Sequence, residues 1–205
     1  MKVQNIIFDL GGVILNIDYH KTINAFKNLG DQEFDSLFTQ ANQTDLFDKY
    51  EKGLCSSQFF INGLLDYLPA GTSANAIVKA WNAMLLDLPQ ERIVKLLDLK
   101  DKYRTFLLSN TNDIHLDAFH SIIKKENSLD SLASLFEKVY YSCEMKMRKP
   151  DPEIFLTVCK ENNLEPKDTL FIDDSIQHVE GAKKAGLQAY HLTNGETILD
   201  LDFLN

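Results

Sequence analysis

Thiols are scarce in this sequence: Cys55, Cys143 and Cys159 are odd in number and show no CxxC spacing. That excludes a disulfide framework and a thiolate metal site, and predicts reduced cysteines. Apolar runs are short, none approaching the ~18 residues a membrane-crossing helix needs, and the N-terminus enters a strand without an apolar leader region. A soluble, cytoplasmic protein with no membrane partner is expected. Blocks of basic residues are missing as well. The 21 Lys and Arg against 30 Asp and Glu give a formal net charge of −9, with no stretch able to follow a phosphate backbone, which speaks against nucleic acid as a partner. No internal repeat is visible. With 44% hydrophobic and 25% charged residues the composition is that of a folded globular chain rather than a disordered one.

What is present is enough chain, 205 residues, for one α/β domain with a sizeable core, or a core domain carrying an insertion. The organising stretch is Val3 to Val13. Ile6, Ile7 and Phe8 form a nearly continuous apolar run, as in a strand buried on both faces, and the run ends on Asp9 before Gly11 and Gly12. A carboxylate at the carboxyl end of such a strand lies where open parallel sheets bind ligands, and the glycines let backbone fold closely around it.

From Ile17 to Leu88 the pattern turns helical. Ile23, Phe26 and Leu29 recur at helical spacing before Gly30, and Phe34, Leu37 and Phe38 predict a second short helix. Leu46, Phe47 and Tyr50 predict a third that stops at Gly53. Ser56-Ser57 reads as an N-cap, as does Thr72 or Ser73 before a helix carrying Ile77, Val78, Trp81, Met84 and Leu85. Trp81 could face a substrate, but a Trp among aliphatics at helical spacing predicts core. Pro89 begins another helix.

Strand and helix alternate again from Tyr103. Thr105 to Leu108 ends in Ser109-Asn110-Thr111-Asn112, small polar residues that can direct hydroxyls and N–H groups at an oxyanion. Val139 to Tyr141 leads to a loop containing Lys146, Arg148 and Lys149, held by Pro150 and Pro152. Thr169 to Ile172 ends on Asp173-Asp174, and Gln188 to Leu192 is a last strand; Thr197 to Asn205 carries no clear signal. Parallel strands bring their carboxyl ends to one sheet edge, so Asp9, Ser109, Asn110, Asp173 and Asp174 should converge there, with Lys149 nearby. Three carboxylates together repel unless a cation sits among them, and a site of oxygen ligands favours Mg²⁺, commonly completed by a phosphate. Hydroxyl, N–H and ammonium groups are the expected partners of phosphoryl oxygens. Taken singly, Lys149 reads as a solvated surface residue and Asp173-Asp174 as a turn or helix cap.

Four segments, in order, resemble the motifs of the haloacid dehalogenase superfamily: Phe8-Asp9-Leu10-Gly11-Gly12-Val13, Leu108-Ser109-Asn110-Thr111, Arg148-Lys149-Pro150-Asp151-Pro152 and Phe171-Ile172-Asp173-Asp174-Ser175. The resemblance covers nearly the whole chain. It implies a Rossmann-like parallel α/β sheet flanked by helices (1–16 and 89–205) with an all-helical cap domain inserted after the first strand (17–88). It further implies a Mg²⁺-dependent phosphatase of a small phosphorylated metabolite. Asp9 would form an aspartyl-phosphate. Asp9, the Gly11 carbonyl and Asp174 would hold the metal, with Asp173 acting directly or through water. Ser109, the backbone at Asn110, and Lys149 would hold the phosphoryl group.

One departure bears on function: the second Asp that most such phosphatases carry two residues after the nucleophile is Gly11 here. A 2-haloacid dehalogenase also lacks it, though the paired Asp173-Asp174 is a metal-binding arrangement that dehalogenases do without. A non-catalytic phosphate-binding or regulatory module is the other alternative. A branch of the family with this form of the first motif, and with similar Ser-Asn-Thr-Asn and Arg-Lys-Pro segments, includes a phosphatase acting on α-glucose 1-phosphate, so the resemblance makes a sugar 1-phosphate the expected substrate. Asp18, His20 and Glu51 are candidate specificity residues in the cap, each also readable as a solvent-exposed helix position. Oligomeric state is not legible in the sequence.

Overall fold

The computed structural model describes residues 3–34, 45–193 and 195–204. Its five strands, β1 (Asn5–Phe8), β2 (Arg104–Ser109), β3 (Lys138–Tyr141), β4 (Thr169–Asp173) and β5 (Gln188–His191), form one parallel sheet in the order β3-β2-β1-β4-β5. Side chains alternate between the two faces. Ile6, Phe8, Leu107 and Ile172 enter one buried core, while Ile7, Phe106, Leu108 and Phe171 enter the other. A strand covered on both faces has to be apolar throughout, which is why these segments read as unbroken runs.

The first core is closed by a helix over Gln90–Lys100, by a helix over Asp113–Asn127, and by Ile198, Leu201 and Leu204. These C-terminal residues, silent in the sequence, are buried. The second core is closed by helices over Pro152–Asn162 and Ile176–Lys184. Ser142–Met145 forms one helical turn directly after β3, where only loop was expected.

Between β1 and the Gln90–Lys100 helix the described residues form four helices, α1 (Tyr19–Leu29), α2 (Asp45–Glu51), α3 (Ser57–Leu65) and α4 (Ala74–Asn82). Asp18 caps α1 through His20 N–H, Gly30 ends it in the left-handed region, and Ser56 and Ser73 cap α3 and α4. They share a core of their own, in which Phe26 stacks on Phe34 at 3.9 Å and Phe60 packs against Phe47, Tyr50 and Trp81. The chain enters and leaves this layer side by side: Asp18 N–H donates to Met84 C=O, Asn16 N–H to Asp87 C=O and Leu86 N–H to Asn16 C=O, at 2.9 to 3.0 Å. The helix expected beyond Phe34, through Leu37 and Phe38, lies outside the described residues.

The sheet order places a topological switch at β1 and β4. The chain runs from β1 outward through β2 and β3, then returns to the other side of β1 for β4 and β5. Connections diverge there and open a crevice beyond the strand ends, the place where open α/β sheets bind ligands.

Candidate active site

Asp9 follows the last residue of β1 and Asp173 ends β4. Phe8 pairs with Ile172, so the two aspartates are the next neighbours in register and share a face at the switch point. Both are buried. Two carboxylates side by side in a dry setting repel strongly, and the fold answers with Lys149, whose Nζ lies 2.7 Å from Asp9 Oδ1 and 2.7 Å from Asp173 Oδ2 and is itself 0% exposed. Burial disfavours the ammonium, yet the two carboxylates hold its pKa above the ordinary lysine value. Asp173 is also buried, but Lys149 and His178 outweigh that and keep it well below the usual carboxylate range. Asp9 takes the opposite course. Burial, opposed by Lys149 and reinforced by Asp173, pushes it up to about 6.

Lys149 is aimed by a two-bond clasp. Its N–H donates to Asn110 Oδ1 and its C=O accepts from Asn110 Nδ2, both at 2.9 Å, so the residue after β2 fixes the backbone of a loop 39 positions away. From the other side, the Ile176–Lys184 helix approaches the loop so closely that a Cβ on Gly181 would lie 2.2 Å from the Pro150 carbonyl oxygen. Gly181→Ala should therefore lower stability by about 1–3 kcal/mol through overpacking. A melting temperature indistinguishable from wild type would show that helix and loop can part without cost.

The third carboxylate, Asp174, stands against the glycine turn. A Cβ on Gly12, whose φ is +76°, would sit 2.2 Å from Asp174 Oδ2, so the position needs glycine both for its backbone and for this approach. Burial and the neighbouring Asp173 raise the Asp174 pKa. One carboxylate oxygen from each of Asp9, Asp173 and Asp174 lies within 4.8 Å of the other two. Those of Asp173 are already engaged, Oδ1 by Ser175 N–H at 2.7 Å, Oδ2 by Lys149, and both by His178 Nδ1 at 3.0 to 3.1 Å. Asp9 and Asp174 both line the adjoining cavity. One ammonium among three carboxylates leaves the cluster negative, and an all-oxygen donor set of this kind suits a hard divalent cation such as Mg²⁺.

Ser109 ends β2 beside β1 and is buried at the cavity wall. Thr111 N–H is spent on Ser142 Oγ at 2.9 Å, and Asn112 caps the Asp113–Asn127 helix by accepting from His115 N–H. Of the four small polar residues from Ser109 to Asn112, Ser109 and Asn110 therefore stand nearest to the expected role.

The cavity is about 920 Å³ and lies between the sheet edge and the helical layer. Trp81 does two things: it is buried in the helical core and it also lines the cavity, its Nε1–H reaching Asn112 Oδ1 at 3.4 Å. His115 stacks on it at 4.9 Å and contacts the Trp81 carbonyl through Nε2 at 3.1 Å. Burial pushes that imidazole down to about 4, so it is neutral at ordinary pH.

The layer is tied to the core by polar contacts as well. Arg148 reaches Glu51 Oε2 at 2.9 Å and Asp48 Oδ1 at 3.4 Å, Ser142 Oγ donates to Glu51 C=O at 2.7 Å, and Lys146 Nζ donates to Gly53 C=O at 2.6 Å. Of the three cap residues singled out from sequence, Glu51 lines the cavity, whereas Asp18 is the α1 cap and His20 is exposed. Asp48, Lys52, Tyr19 and His178 also line it and were not anticipated. The i,i+3,i+4 spacing of Asp48, Glu51 and Lys52 was the available signal, since it puts all three on one helix face.

Residues 3–186 match the family described as haloacid dehalogenase-like hydrolase. The chain belongs to that family and is a hydrolase. A relative named D-ribitol-5-phosphate phosphatase, from Bacteroides thetaiotaomicron, is 30% identical over 194 residues, 94% of this chain and 93% of its own. The crystal structure of the HAD family enzyme BT-2542 from the same organism, in complex with magnesium and inorganic phosphate, superposes with a TM-score of 0.85 at 36% identity over 98% of both chains. The L-2-haloacid dehalogenase of Xanthobacter autotrophicus, at 17% identity and a TM-score of 0.61 over 93% of this chain and 77% of its own, shares the fold alone. The family and the Rossmann-like core expected from the four motifs are borne out. Among the described residues no helix is long and apolar enough to cross a membrane.

Proposed function

We propose that this chain is a Mg²⁺-dependent phosphatase of a small phosphorylated sugar-like metabolite, acting through an aspartyl-phosphate on Asp9 beneath a cap formed by residues 17–88. The observation that carries the reading is Lys149 bridging two buried aspartates at the sheet switch point, with Asp174 beside them at the cavity wall. An Asp9 carboxylate oxygen attacks phosphorus, the P–O bond to the organic group breaks, and the departing oxygen takes up a proton. Water then attacks the same phosphorus, releasing inorganic phosphate and free Asp9. Splitting one displacement into two easier ones is the benefit of the covalent route.

Lys149 keeps Asp9 oriented. Ser109 Oγ–H and the Asn110 backbone N–H donate to the phosphoryl oxygens, as preorganised donors do where charge collects. Asp9, Asp174 and the Gly11 carbonyl would hold Mg²⁺, with Asp173, its oxygens already occupied, acting through water. Bound there, the cation would neutralise charge that otherwise sets an anionic nucleophile against an anionic substrate.

A 2-haloacid dehalogenase would not require this carboxylate cluster, and the magnesium- and phosphate-bound relative favours phosphate chemistry. Hydrolysis of p-nitrophenyl phosphate should stop in excess chelator and return with Mg²⁺. Asp174→Ala should need far more Mg²⁺ for half-maximal rate, beyond the roughly 10–100-fold that losing an outer-shell partner costs. Full activity in chelator would defeat the metal assignment. Halide release from 2-chloropropionate would restore the dehalogenase, and inertness in both assays the non-catalytic module.

Within the sugar-like class, Gly11 favours esters whose oxygen departs easily, such as a sugar 1-phosphate. The relative's name, with phosphate on a polyol primary hydroxyl, makes the primary ester the rival outcome.

A further inference from the structure

Opposite the aspartate cluster, the cavity wall carries four charged side chains: Asp48, Glu51 and Lys52 from α2 and its end, and Arg148 from the core loop. All are paired. Lys52 Nζ lies 2.9 Å from Asp48 Oδ2, and Arg148 spans Asp48 and Glu51. Two cations and two anions cancel, so this wall has no net charge to offer a ligand. Residues 35–44 contain no Lys or Arg that could supply one. The other charged groups lining the cavity among the described residues, Asp9, Asp151 and Asp174, are acidic.

Arg148 and Glu51 both line the cavity and are only partly buried, their side chains 17% and 28% exposed. One is a donor and the other an acceptor, on adjoining side chains. A hydroxyl group is both at once: it can accept from the guanidinium and donate to the carboxylate without adding charge.

We propose that Arg148 and Glu51, charge-balanced by Asp48 and Lys52, form a specificity site for an uncharged, hydroxyl-bearing portion of the substrate and reject phosphate esters carrying a second anion. The proposal rests on the phosphatase reading and narrows it to polyol and sugar monophosphates. Rejection follows because a carboxylate or second phosphate approaching this wall meets Asp48 and Glu51 with both of its cations, Lys52 and Arg148, already committed, and like charges juxtaposed across an interface are costly.

sn-Glycerol 3-phosphate and 3-phosphoglycerate form a matched pair, differing by a hydroxymethyl against a carboxylate. Wild-type kcat/KM should favour the first by at least about tenfold. Glu51→Gln frees Arg148 from one counter-charge and should move that ratio about tenfold toward the carboxylate; Asp48→Asn does the same should Glu51→Gln fail to fold. Arg148→Gln leaves Glu51 uncompensated, Asp48 still being held by Lys52, and should shift preference the other way, toward phosphoethanolamine. Equal wild-type rates for the matched pair, or a ratio unmoved by both carboxamide variants, would overturn the site. Loss of p-nitrophenyl phosphate hydrolysis in the wild type would instead strike the phosphatase reading. Calorimetric affinities of the same two esters for Asp9→Asn with Mg²⁺ would still decide the selectivity, the same tenfold preference supporting the site and equal affinities refuting it.

Discussion

Asp9→Asn should lower turnover of p-nitrophenyl phosphate by about 10⁴-fold or more, because removal of a covalent nucleophile costs several decades. The amide keeps the shape of the carboxylate but is a poor nucleophile and forms no stable acyl-phosphate. The fold should survive: Lys149 retains its 2.7 Å contact with Asp173, and the amide oxygen can replace Asp9 Oδ1 as an acceptor from Nζ. Stability should hold or rise, since one of two buried, mutually repelling carboxylates is gone. Turnover and melting temperature need to be read together. Residual activity above about a tenth of wild type in a folded variant would remove Asp9 from the nucleophile role, as general positioning effects alone could then explain the loss.

Asp9, Ser109 and Asp173 were legible because each lies at the end of an apolar run, and strand ends in a parallel sheet converge by topology alone. Lys149 was legible only through its neighbours: a lysine in a proline-bounded loop says nothing about its own burial, and its 0% exposure comes from two aspartates 140 and 24 residues away. The Asn110 clasp is equally invisible in sequence, since a side-chain amide carries no mark of the distant backbone it will bind. His178 went unnoticed because a single histidine in a helix has no pattern, although its position five residues after Asp173 places it one helical turn beyond the strand end.

The cavity wall on the side of the helical layer was the least readable part. Asp18 and His20 look like pocket residues by proximity to the first motif, yet one caps α1 and the other faces outward. Arg148 meets Glu51 and Asp48 across about half the chain, and only the docking of the helical layer on the core creates that encounter. The C-terminal stretch failed for a related reason. Ile198, Leu201 and Leu204 recur at near-helical spacing but sit among acidic residues in a segment too short for periodicity to stand out, and tertiary packing decides their burial.

Gly11 leads to the second large effect. With no carboxyl group two residues after Asp9, the first motif supplies no proton to the departing oxygen, and proton transfer of that kind contributes ~10²–10⁴-fold. Asp18 and His20, the titratable residues that closely follow the first motif, do not line the cavity and supply no proton there. Esters with acidic leaving groups should therefore be favoured: p-nitrophenyl phosphate over alkyl phosphates, and glucose 1-phosphate, whose anomeric hydroxyl is the more acidic, over glucose 6-phosphate. The same absence removes a base to activate water against the proposed aspartyl-phosphate, so with a good leaving group the second step should limit. A burst of at most one equivalent of p-nitrophenol should precede the steady state. Gly11→Asp is a fair test because the site can take it. The position lies outside the left-handed region, and a Cβ there would come within 3.1 Å only of Ile17 Cδ1, the far end of a flexible side chain. The new carboxyl should shrink the burst and narrow the difference between the two glucose phosphates. Stopped-flow traces at saturating p-nitrophenyl phosphate and Mg²⁺ decide the matter. A linear wild-type trace from the first turnover, with equal kcat/KM for the two glucose phosphates, would mean that another group in the cavity performs the proton transfer and that Gly11 costs the enzyme nothing.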